Sequence, residues 1–358
     1  GALLPMKGVY APFGEEAARG ILLAAGAFGS GGQRAEVYVK DVSTDAAAAG
    51  SSIEELSGNV RVAGIVGPLL SPAAREAGLY AQKLSVPLIT LSQKEGVTSA
   101  GGYVFRNSLT HADQAETIAA YAYKGLGSRK FAVLYPQNNY GAELKELFKE
   151  EVRRQGGEVV KELGYVPGTK DFSRELTSLF GITGKERREG RRTIKDFTAA
   201  VPADALYIPD YYETVSMIVP YLEYYDIKGV RLLGSNGWNS PRLAALSGKG
   251  VEGAVFVDGF FANSQRRGSA EFAERFRAAY GTDPGVLEAQ AYDAARVLIT
   301  AAVEGAGGTG RDGVKDYLRA MKDYSGAAGA LSFNEKGAAI KRLFILTVKD
   351  GAITEILE

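Results

Sequence analysis

Polar and aromatic side chains recur where apolar, strand-like runs of this sequence end. Five such runs are followed by groups able to hydrogen-bond or stack: Ser71 after VAGIVGP, Ser92, Gln93 and Lys94 after PLIT, Tyr140 after AVLYP, Asp210 and Tyr211 after ALYIP, and Asn236 and Trp238 after RLLG. Tyr10 and Phe13 lie in a comparable place near the start. Ligands of parallel α/β sheets bind beyond the carboxyl ends of the strands, and small-molecule sites combine aromatic walls with a few polar groups. These residues are therefore predicted to form a ligand site.

Each of these residues also has a structural interpretation. Ser71 precedes Pro72 and is expected to cap a helix, an interaction worth about 1 kcal/mol whatever else the serine does. A tyrosine at a strand end, or a lone tryptophan such as Trp238, often packs into a core. The recurrence at successive strand ends favours binding, and the helix N-termini that follow favour an anionic group such as a carboxylate.

Residue types that carry catalysis are scarce or wrongly placed. The single histidine, His111 in LTHADQAE, lies near a predicted helix start, where a structural role is most frequent. The glycine-rich GAFGSGG (26–32) follows a helix and precedes a strand, the reverse of a phosphate loop, and is predicted to be a turn. The absence of cysteine excludes disulfides, thiolate zinc sites and cysteine nucleophiles. We therefore expect a binding protein that is not an enzyme and uses no cofactor or metal.

Chain length and charge further limit the class of protein to which this sequence can belong. A chain of 358 residues is long enough for about two domains of about 100–200 residues each. Lys+Arg and Asp+Glu both number 42, so no net positive charge favours nucleic acid. No apolar run approaches the roughly 18 residues of a membrane span. Because GALLP already has the character of a strand, we expect that sequence ahead of Gly1 was removed by processing or truncation.

The elements that must position the candidate side chains alternate along the chain. Short runs rich in Val, Ile and Leu, such as KFAVLYP and VRLLGS, alternate with amphipathic helical patterns, which is typical of βαβ units and parallel sheets. There are more units than one sheet holds comfortably, so an α/β fold with two sheets is predicted. Helices are predicted at Phe13–Phe28, Ser71–Leu84, Ala112–Leu126, Gly141–Gln155, Tyr212–Tyr225, Ser269–Tyr280 and Val286–Gly305.

One charged segment interrupts this alternation. GKERREGRRTIKD (Gly184–Asp196) has no apolar face and is predicted to be a surface insertion, most simply a solvated loop or helix end. The alternative is a docking patch for a partner, which would use the arginines Arg187, Arg188, Arg191 and Arg192.

In order and spacing, five segments resemble the type I periplasmic binding proteins, within their leucine/isoleucine/valine-binding (extracellular ligand-binding receptor) group. The segments are GPLLSPAA, VPLITLS, YVFRNSLTHADQAETIAAY, KFAVLYPQNNYGAELKELFKEEVRRQGGEVV and DFSRELTSL. The resemblance spans essentially the whole chain. It implies an α/β fold of two Rossmann-like lobes joined by three crossover strands, with a ligand cleft between the lobes and hinge closure on the ligand.

The resemblance also implies where the lobes begin and end. Crossovers are expected near Ser108–Thr110, Gly259–Phe261 and Gly329–Leu331. One lobe would then hold residues 1–108 and 261–329, and the other would hold 109–260 and 330–358.

Several candidate residues fall on binding positions of the family. Ser71 matches the serine that binds the carboxylate of an amino acid, and Gln93 and Lys94 match positions that donate to the same group. Tyr140 and Tyr211 match aromatic positions of the second lobe.

The chain also departs from the family at two of these positions. Asn236 stands where the family has the acidic residue that pairs with the ligand's ammonium, and Lys94 replaces a small hydroxyl residue. An amide binds a cation more weakly than a carboxylate does. A carboxylate-bearing or uncharged ligand therefore fits at least as well as an amino acid, unless Asp210 supplies the missing charge.

The resemblance implies a solute receptor in the periplasm or cell envelope, with an ABC permease as its partner. It leaves open whether a segment ahead of Gly1 carries a lipid anchor. An alternative comes from the stretch DALYIPDYYETVSMIVPYLEYYDIKGVRLLGSNGWNSPRL, which is similar to lipoproteins described as penicillin-binding protein activators. Those proteins contact peptidoglycan synthases and do not deliver solutes.

Overall fold

The chain divides into two compact units. The computed structural model describes residues 1–28, 35–189, 192–305 and 310–357, and for 185–189 and 192–195 it describes the backbone alone. Unit 1 comprises Gly1–Thr110 and Gly259–Arg342, and unit 2 comprises His111–Asp258 and Leu343–Glu358. The predicted turn GAFGSGG lies largely outside the described residues.

The strands are short and are numbered here in chain order. They are β1 (Ala2–Leu4), β2 (Val39–Asp41), β3 (Ile65–Val66), β4 (Leu88–Thr90), β5 (Val104–Arg106), β6 (Lys130–Pro136), β7 (Glu158–Tyr165), β8 (Thr183–Glu189), β9 (Arg192–Thr198), β10 (Ala205–Ile208), β11 (Arg231–Gly234), β12 (Val255–Asp258), β13 (Tyr324–Gly326), β14 (Gly329–Phe333), β15 (Ala339–Lys341), β16 (Phe344–Lys349) and β17 (Ala352–Glu355).

The α-helices follow the same numbering. They are α1 (Ala11–Ala24), α2 (Ala46–Gly58), α3 (Ser71–Lys83), α4 (His111–Lys124), α5 (Asn139–Gln155), α6 (Ser173–Phe180), α7 (Tyr212–Tyr224), α8 (Arg242–Ser247), α9 (Arg267–Tyr280), α10 (Val286–Thr300) and α11 (Gly310–Ala320). Short 3-10 turns precede α1 and follow β11, and a π-helical turn, Ala301–Gly305, continues α10.

Unit 1 is built on a parallel sheet of order β2-β1-β3-β4-β5. Alternate residues of its strands enter two separate cores: Ala2 and Leu4 of β1 join one, and Leu3 joins the other. Helices therefore cover both faces, which explains why the three inner strands β1, β3 and β4 are buried along their whole length and do not alternate. The α/β architecture predicted from the sequence is confirmed.

Unit 2 has a sheet of order β17-β16-β12-β11-β10-β6-β7. The five strands from β12 to β7 are parallel, while β16 and β17 add an antiparallel edge. All four residues of β10 are fully buried, as are Phe131–Leu134 of β6. The carboxyl ends of β6, β7, β10, β11 and β12 therefore meet along one edge of this sheet, which is where the candidate residues of unit 2 lie.

The third expected lobe boundary is wrong. Residues 330–342 belong to unit 1, because β14 is the central strand of an antiparallel sheet with β13 and β15, and Leu331 and Phe333 are buried in a unit 1 core. The buried Asp293 of α10 accepts the backbone N–H groups of Ala327 and Ala328 at 2.6 and 2.9 Å, which fixes the β13–β14 turn to the same unit. The other two unit boundaries lie at 110 and 258, where 108 and 260 were expected.

The charged segment is a β-hairpin and not a loop or helix end. Strands β8 and β9 pair in antiparallel register from Thr183↔Thr198 to Glu189↔Arg192. Neither strand shows apolar alternation, so the sequence carried no signal for pairing. The side chains of Arg187, Arg188 and Arg192, and the whole of Arg191, lie outside the described residues, so the docking-patch alternative gains no support from the structure.

Candidate functional site

A hydroxyl–amide cluster occupies the carboxyl edge of the unit 2 sheet. Tyr140, in the first turn of α5, places its hydroxyl 2.9 Å from Ser235 Oγ and 3.1 Å from Asn236 Oδ1, and donates to this pair of acceptors. Ser235 and Asn236 follow β11 directly, and Asn138 caps α5 by accepting the Gly141 N–H at 2.8 Å. These three residues, Tyr140, Ser235 and Asn236, are called the Tyr140 cluster below.

Two further rings extend the Tyr140 cluster into an aromatic wall. The Tyr211 ring stacks on Tyr140 with centroids 5.5 Å apart and planes at 18°, and it remains 55% exposed. The His111 ring meets the edge of Tyr140 at 5.2 Å, while His111 Nδ1 lies 3.0 Å from Glu143 Oε2. The one histidine of the chain thus supports the wall, a positioning role that fits its structural interpretation.

The Asp210 carboxylate is buried beneath this wall. Tyr165, at the end of β7, donates its hydroxyl to Asp210 Oδ2 at 2.6 Å, and the Tyr211 N–H donates to Asp210 Oδ1 at 2.8 Å. Both carboxylate oxygens therefore already hold a short hydrogen bond, and Asp210 is only 7% exposed. Asp210 fixes the backbone that carries Tyr211, so it acts as a positioning group.

All three tyrosines at this edge remain protonated donors at neutral pH. Burial raises the pKa of Tyr140 far above its ordinary value. Burial, followed by the charge of Asp210, does the same for the pKa of Tyr165. The pKa of Tyr211 is also raised, first by burial and then by the Asp210 and Glu213 carboxylates.

Unit 1 presents a group of hydroxyls beyond the carboxyl ends of β3, β4 and β5. Ser71 is the first residue of α3 and not its cap, which is Leu70, so the capping expectation is corrected. Its Oγ instead lies 3.3 Å from Ser92 Oγ, which also accepts the Lys94 N–H at 3.3 Å. Ser108 donates to the Ser92 carbonyl at 2.9 Å. Ser71, Ser92 and Ser108 are called the serine cluster below.

Two cationic residues accompany the serine cluster. Lys94 is exposed, and Arg106 donates to the Lys94 carbonyl at 3.3 Å. Gln93 is also exposed. Within the serine cluster only Ser71 is partly exposed, and the positive charge carried by the neighbouring Lys94 and Arg106 suits an anion such as a carboxylate.

The remaining candidates of unit 1 stand apart from the serine cluster. Tyr10 caps α1 and Phe13 lies in its first turn, on the segment that follows β1. Their side chains are 37% and 50% exposed, and within the described part of the chain neither makes a hydrogen bond or a ring contact. The structure places them at the expected sheet edge without joining them to Ser71.

Trp238 is a core residue, contrary to the prediction. Its side chain is fully buried, it packs against Phe256 with ring centroids 6.0 Å apart, and its Nε1–H donates to the Ile208 carbonyl at 3.0 Å. The 3-10 turn Asn236–Trp238 directs the indole back over Gly234, so this ring supports the turn that presents Asn236.

Sequence reasoning missed two residues of the unit 2 edge. Gln114 of α4 accepts the Asn236 N–H through Oε1 at 3.0 Å and is 1% exposed. Its signal was present one helical turn after His111 in LTHADQAE, on the same helix face. Tyr165 ends a predicted strand, so the strand-end rule that selected Tyr140 applied to it as well.

Two other features are absent from the described residues. None of their helices combines the length and apolar character needed to cross a bilayer. Nor do their His, Asp and Glu side chains group in the threes that a metal ion requires.

Comparison with known proteins places the chain in a family. The family model described as "Periplasmic binding protein" matches residues 1–179 and 220–352, so the β8–β9 hairpin and β10 fall in the unmatched gap. A Leu/Ile/Val-binding protein homolog 3 from Brucella melitensis is 24% identical over 346 residues, which cover 94% of this chain and 87% of that protein.

Solved structures share the fold over nearly the whole chain. A protein from Rhodospirillum rubrum, described as a branched-chain amino acid ABC transporter, superposes with a TM-score of 0.85 at 23% identity, covering 99% of this chain and 98% of that one. A solute-binding protein from R. palustris in complex with 4-hydroxybenzoate has a TM-score of 0.71 at 21% identity, covering 99% and 95%. The chain therefore belongs to the periplasmic binding protein family, in its type I, leucine/isoleucine/valine-binding group.

Proposed function

We propose that this chain is an extracytoplasmic solute-binding protein that captures a small carboxylate, an amino acid or a related acid, for an ABC transporter and performs no chemistry on it. The observation that carries the proposal is the Tyr140 cluster, whose groups are held in place by hydrogen bonds at 2.9 and 3.1 Å at the edge of a parallel sheet. Pre-positioned polar groups beside an aromatic wall are the usual equipment of a ligand site.

The serine cluster supports a carboxylate as the common ligand feature. The Ser71 hydroxyl does not cap α3, and when Ser92 is the donor of the bond between the two serines, the Ser71 proton is left for a ligand. Ser92 holds Ser71 Oγ at 3.3 Å, and the positive charges of Lys94 and Arg106 accompany them. Hydrogen bonds from such donors to an ionised carboxylate are about twice as strong as neutral ones.

The relatives support the same ligand range. The Brucella protein carries a name for binding Leu, Ile and Val, and the R. palustris protein was solved with 4-hydroxybenzoate. An amino acid and a benzoate share the carboxylate and differ in everything else. We propose that the permease partner recognises the ligand-bound protein. Hinge closure on the ligand and a lipid anchor are predictions that come from the family resemblance.

A thermal-shift screen tests the proposal. The panel holds amino acids, the matching keto and hydroxy acids, and aromatic carboxylates, and a ligand present at about 100 times its dissociation constant adds about 2.7 kcal/mol to the free energy of unfolding. We expect at least one carboxylate to raise the melting temperature of the wild type. Ser71→Ala should lose this shift, while Ser51→Ala, an exposed serine on α2, should keep it. A well-folded protein that responds to no member of the panel would contradict the proposal.

A further inference from the structure

Helix α10 carries three buried carboxyl and amide side chains, and two of them are fully engaged. Both Glu288 oxygens have partners: Oε1 accepts from Arg19 Nη2 at 2.6 Å, and Oε2 accepts the Gly285 N–H at 3.0 Å. Both Asp293 oxygens accept backbone N–H groups of the β13–β14 turn, as described above. The third side chain, Gln290, is 5% exposed, and its Nε2 has no hydrogen-bond partner among the described residues. Gln290 is therefore the buried polar residue of α10 whose role the fold does not yet account for.

A second buried amide with a spare polar atom lies against Gln290. Asn107, directly after β5, is fully buried and donates its Nδ2 to the Gln290 carbonyl at 2.8 Å. Its backbone N–H donates to the Thr90 carbonyl at 2.9 Å, so the residue is also held to β4. Its Oδ1, like Gln290 Nε2, has no partner in the part of the chain that the structure describes. One unpartnered acceptor and one unpartnered donor thus belong to neighbouring buried side chains.

These two amides lie where the chain passes out of unit 1 and back into it. The chain leaves unit 1 after Thr110 and re-enters it at Gly259. A Cβ at Gly259 would lie 3.2 Å from Gln290 Nε2 and 3.4 Å from the Leu109 Cβ. On the unit 1 side, both chain passages therefore meet α10 at Gln290.

The chemistry of the two spare atoms limits which group can bind both. An amide oxygen accepts hydrogen bonds and an amide N–H donates them, so a shared partner must donate to Asn107 Oδ1 and accept from Gln290 Nε2. A metal or ammonium ion cannot accept a hydrogen bond, and a carboxylate cannot donate one. A water molecule does both, and internal waters typically bind buried polar groups that the protein leaves unsatisfied.

We infer that one internal water bridges Asn107 Oδ1 and Gln290 Nε2 and so ties both chain passages to α10. A buried polar atom without a partner costs desolvation free energy that no hydrogen bond offsets, and a bridging water removes this cost from both atoms at once. Asn107 and Gln290 are then positioning residues that hold the water. The bridge is part of the unit 1 fold and does not depend on which solute the protein captures.

A crystal structure of the wild-type protein, at a resolution that shows ordered waters, tests the bridge directly. We expect one water within about 3 Å of both Asn107 Oδ1 and Gln290 Nε2. A direct hydrogen bond between the two side-chain amides would overturn the inference. So would density that shows no water within reach of both atoms.

The variant Gln290→Met gives an independent test in solution, because the sign of its effect depends on the water. Methionine is close to glutamine in length but has no polar hydrogen. If Nε2 binds the water, the variant leaves the water and Asn107 Oδ1 short of a partner, and we expect the melting temperature to fall by about 2–4 °C. If Nε2 is instead unsatisfied, an apolar side chain relieves a desolvation cost, and the melting temperature should rise.

The matched control is Gln265→Met, at an exposed site of unit 1, which should melt like the wild type. Thermal denaturation of the three proteins under the same conditions compares them. A Gln290→Met protein that melts at or above the wild-type temperature would contradict the water bridge.

Discussion

At the residue scale, the hydroxyls of unit 2 divide into those with a partner and those without. The Tyr165 hydroxyl is bonded to Asp210, whereas the fully buried Tyr207 hydroxyl of β10 has no partner among the described residues and its ring stacks on Phe148 at 4.1 Å. Removing a partner from a buried acceptor costs stability, while removing a hydroxyl that has no partner relieves a desolvation cost. Replacing each of these two tyrosines by phenylalanine should therefore change the free energy of unfolding in opposite directions.

Tyr165→Phe should lower the free energy of unfolding by about 1–3 kcal/mol, because the buried Asp210 carboxylate loses its hydroxyl donor. It should also weaken ligand binding, because Asp210 positions the backbone of Tyr211. Urea denaturation and a ligand titration measure the two effects. A variant as stable as the wild type would show that the Tyr165–Asp210 bond contributes nothing.

Tyr207→Phe should instead raise the free energy of unfolding at neutral pH by about 1 kcal/mol. It should also make the protein less sensitive to alkali. Burial raises the pKa of Tyr207 well above its ordinary value, so the folded state keeps a proton that the unfolded chain loses above about pH 10. The free energy of unfolding is therefore independent of this hydroxyl's titration below that pH and declines above it, by at most about 1.4 kcal/mol per pH unit.

Denaturation at several values between neutral and alkaline pH checks the Tyr207→Phe prediction. The wild type should lose stability above about pH 10 more steeply than the variant. Tyr224→Phe, at a 61% exposed side chain, is the control and should follow the wild type. Identical alkaline slopes for the wild type and Tyr207→Phe would contradict the prediction.

The strand-end rule predicts the positions of Tyr140, Asn236 and Ser71 at sheet edges but not the direction of each side chain. Trp238 follows the same strand as Asn236, and only the 3-10 turn between them decides that one ring enters the core. Gln114 reaches Asn236 because α4 packs beside β11 and β12, a tertiary contact that local sequence does not encode. Asp210 was visible as a carboxylate, but its engagement by Tyr165 was not.

At the scale of elements, helices α1 and α10 pack closely because Gly20 has no side chain. A Cβ at Gly20 would lie 2.3 Å from the Glu288 carbonyl oxygen of α10. Beside it, Arg19 Nη2 contacts Glu288 Oε1 at 2.6 Å. This helix pair contributes to the larger core of unit 1, on which α9 and the β13–β14 turn also depend.

Gly20→Ala should lower the free energy of unfolding by about 1–3 kcal/mol, because the two helices must move apart. The matched control is Gly58→Ala at the end of α2, where a Cβ would meet nothing within 4 Å. That variant should be neutral or gain up to about 1 kcal/mol. Thermal denaturation compares them, and equal stability of the two variants would contradict the close approach of α1 and α10.

Elements with a strong apolar pattern were predictable, and elements of the same length without one were not. The predicted helix Ser71–Leu84 corresponds to α3, which ends at Lys83, and the predicted strand KFAVLYP is β6. Helix α2 was missed, because its alanine-rich AAAAGSSIEELSG carries only a weak apolar stripe. The β8–β9 hairpin was missed because charged residues dominate both of its strands.

At the scale of the whole molecule, the chain forms two units that it enters and leaves repeatedly. Two of the three passages lie near the expected positions. The third, which the family resemblance placed near Gly329–Leu331, was wrong, because GALSF pairs with β13 and β15 inside unit 1. Pairing partners distant in sequence decide such cases, and a single sequence does not reveal them.

The central claim is that a small carboxylate binds at the Tyr140 cluster. The most direct test is to titrate the strongest ligand of the panel into the wild type and into Tyr140→Phe by calorimetry. The variant removes the hydroxyl shared by Ser235 and Asn236 and keeps the ring that stacks on Tyr211. We expect binding about tenfold weaker, because Ser235 and Asn236 lose the hydroxyl that holds them in place, while Tyr224→Phe binds like the wild type. Unchanged affinity in a folded Tyr140→Phe protein would contradict the account.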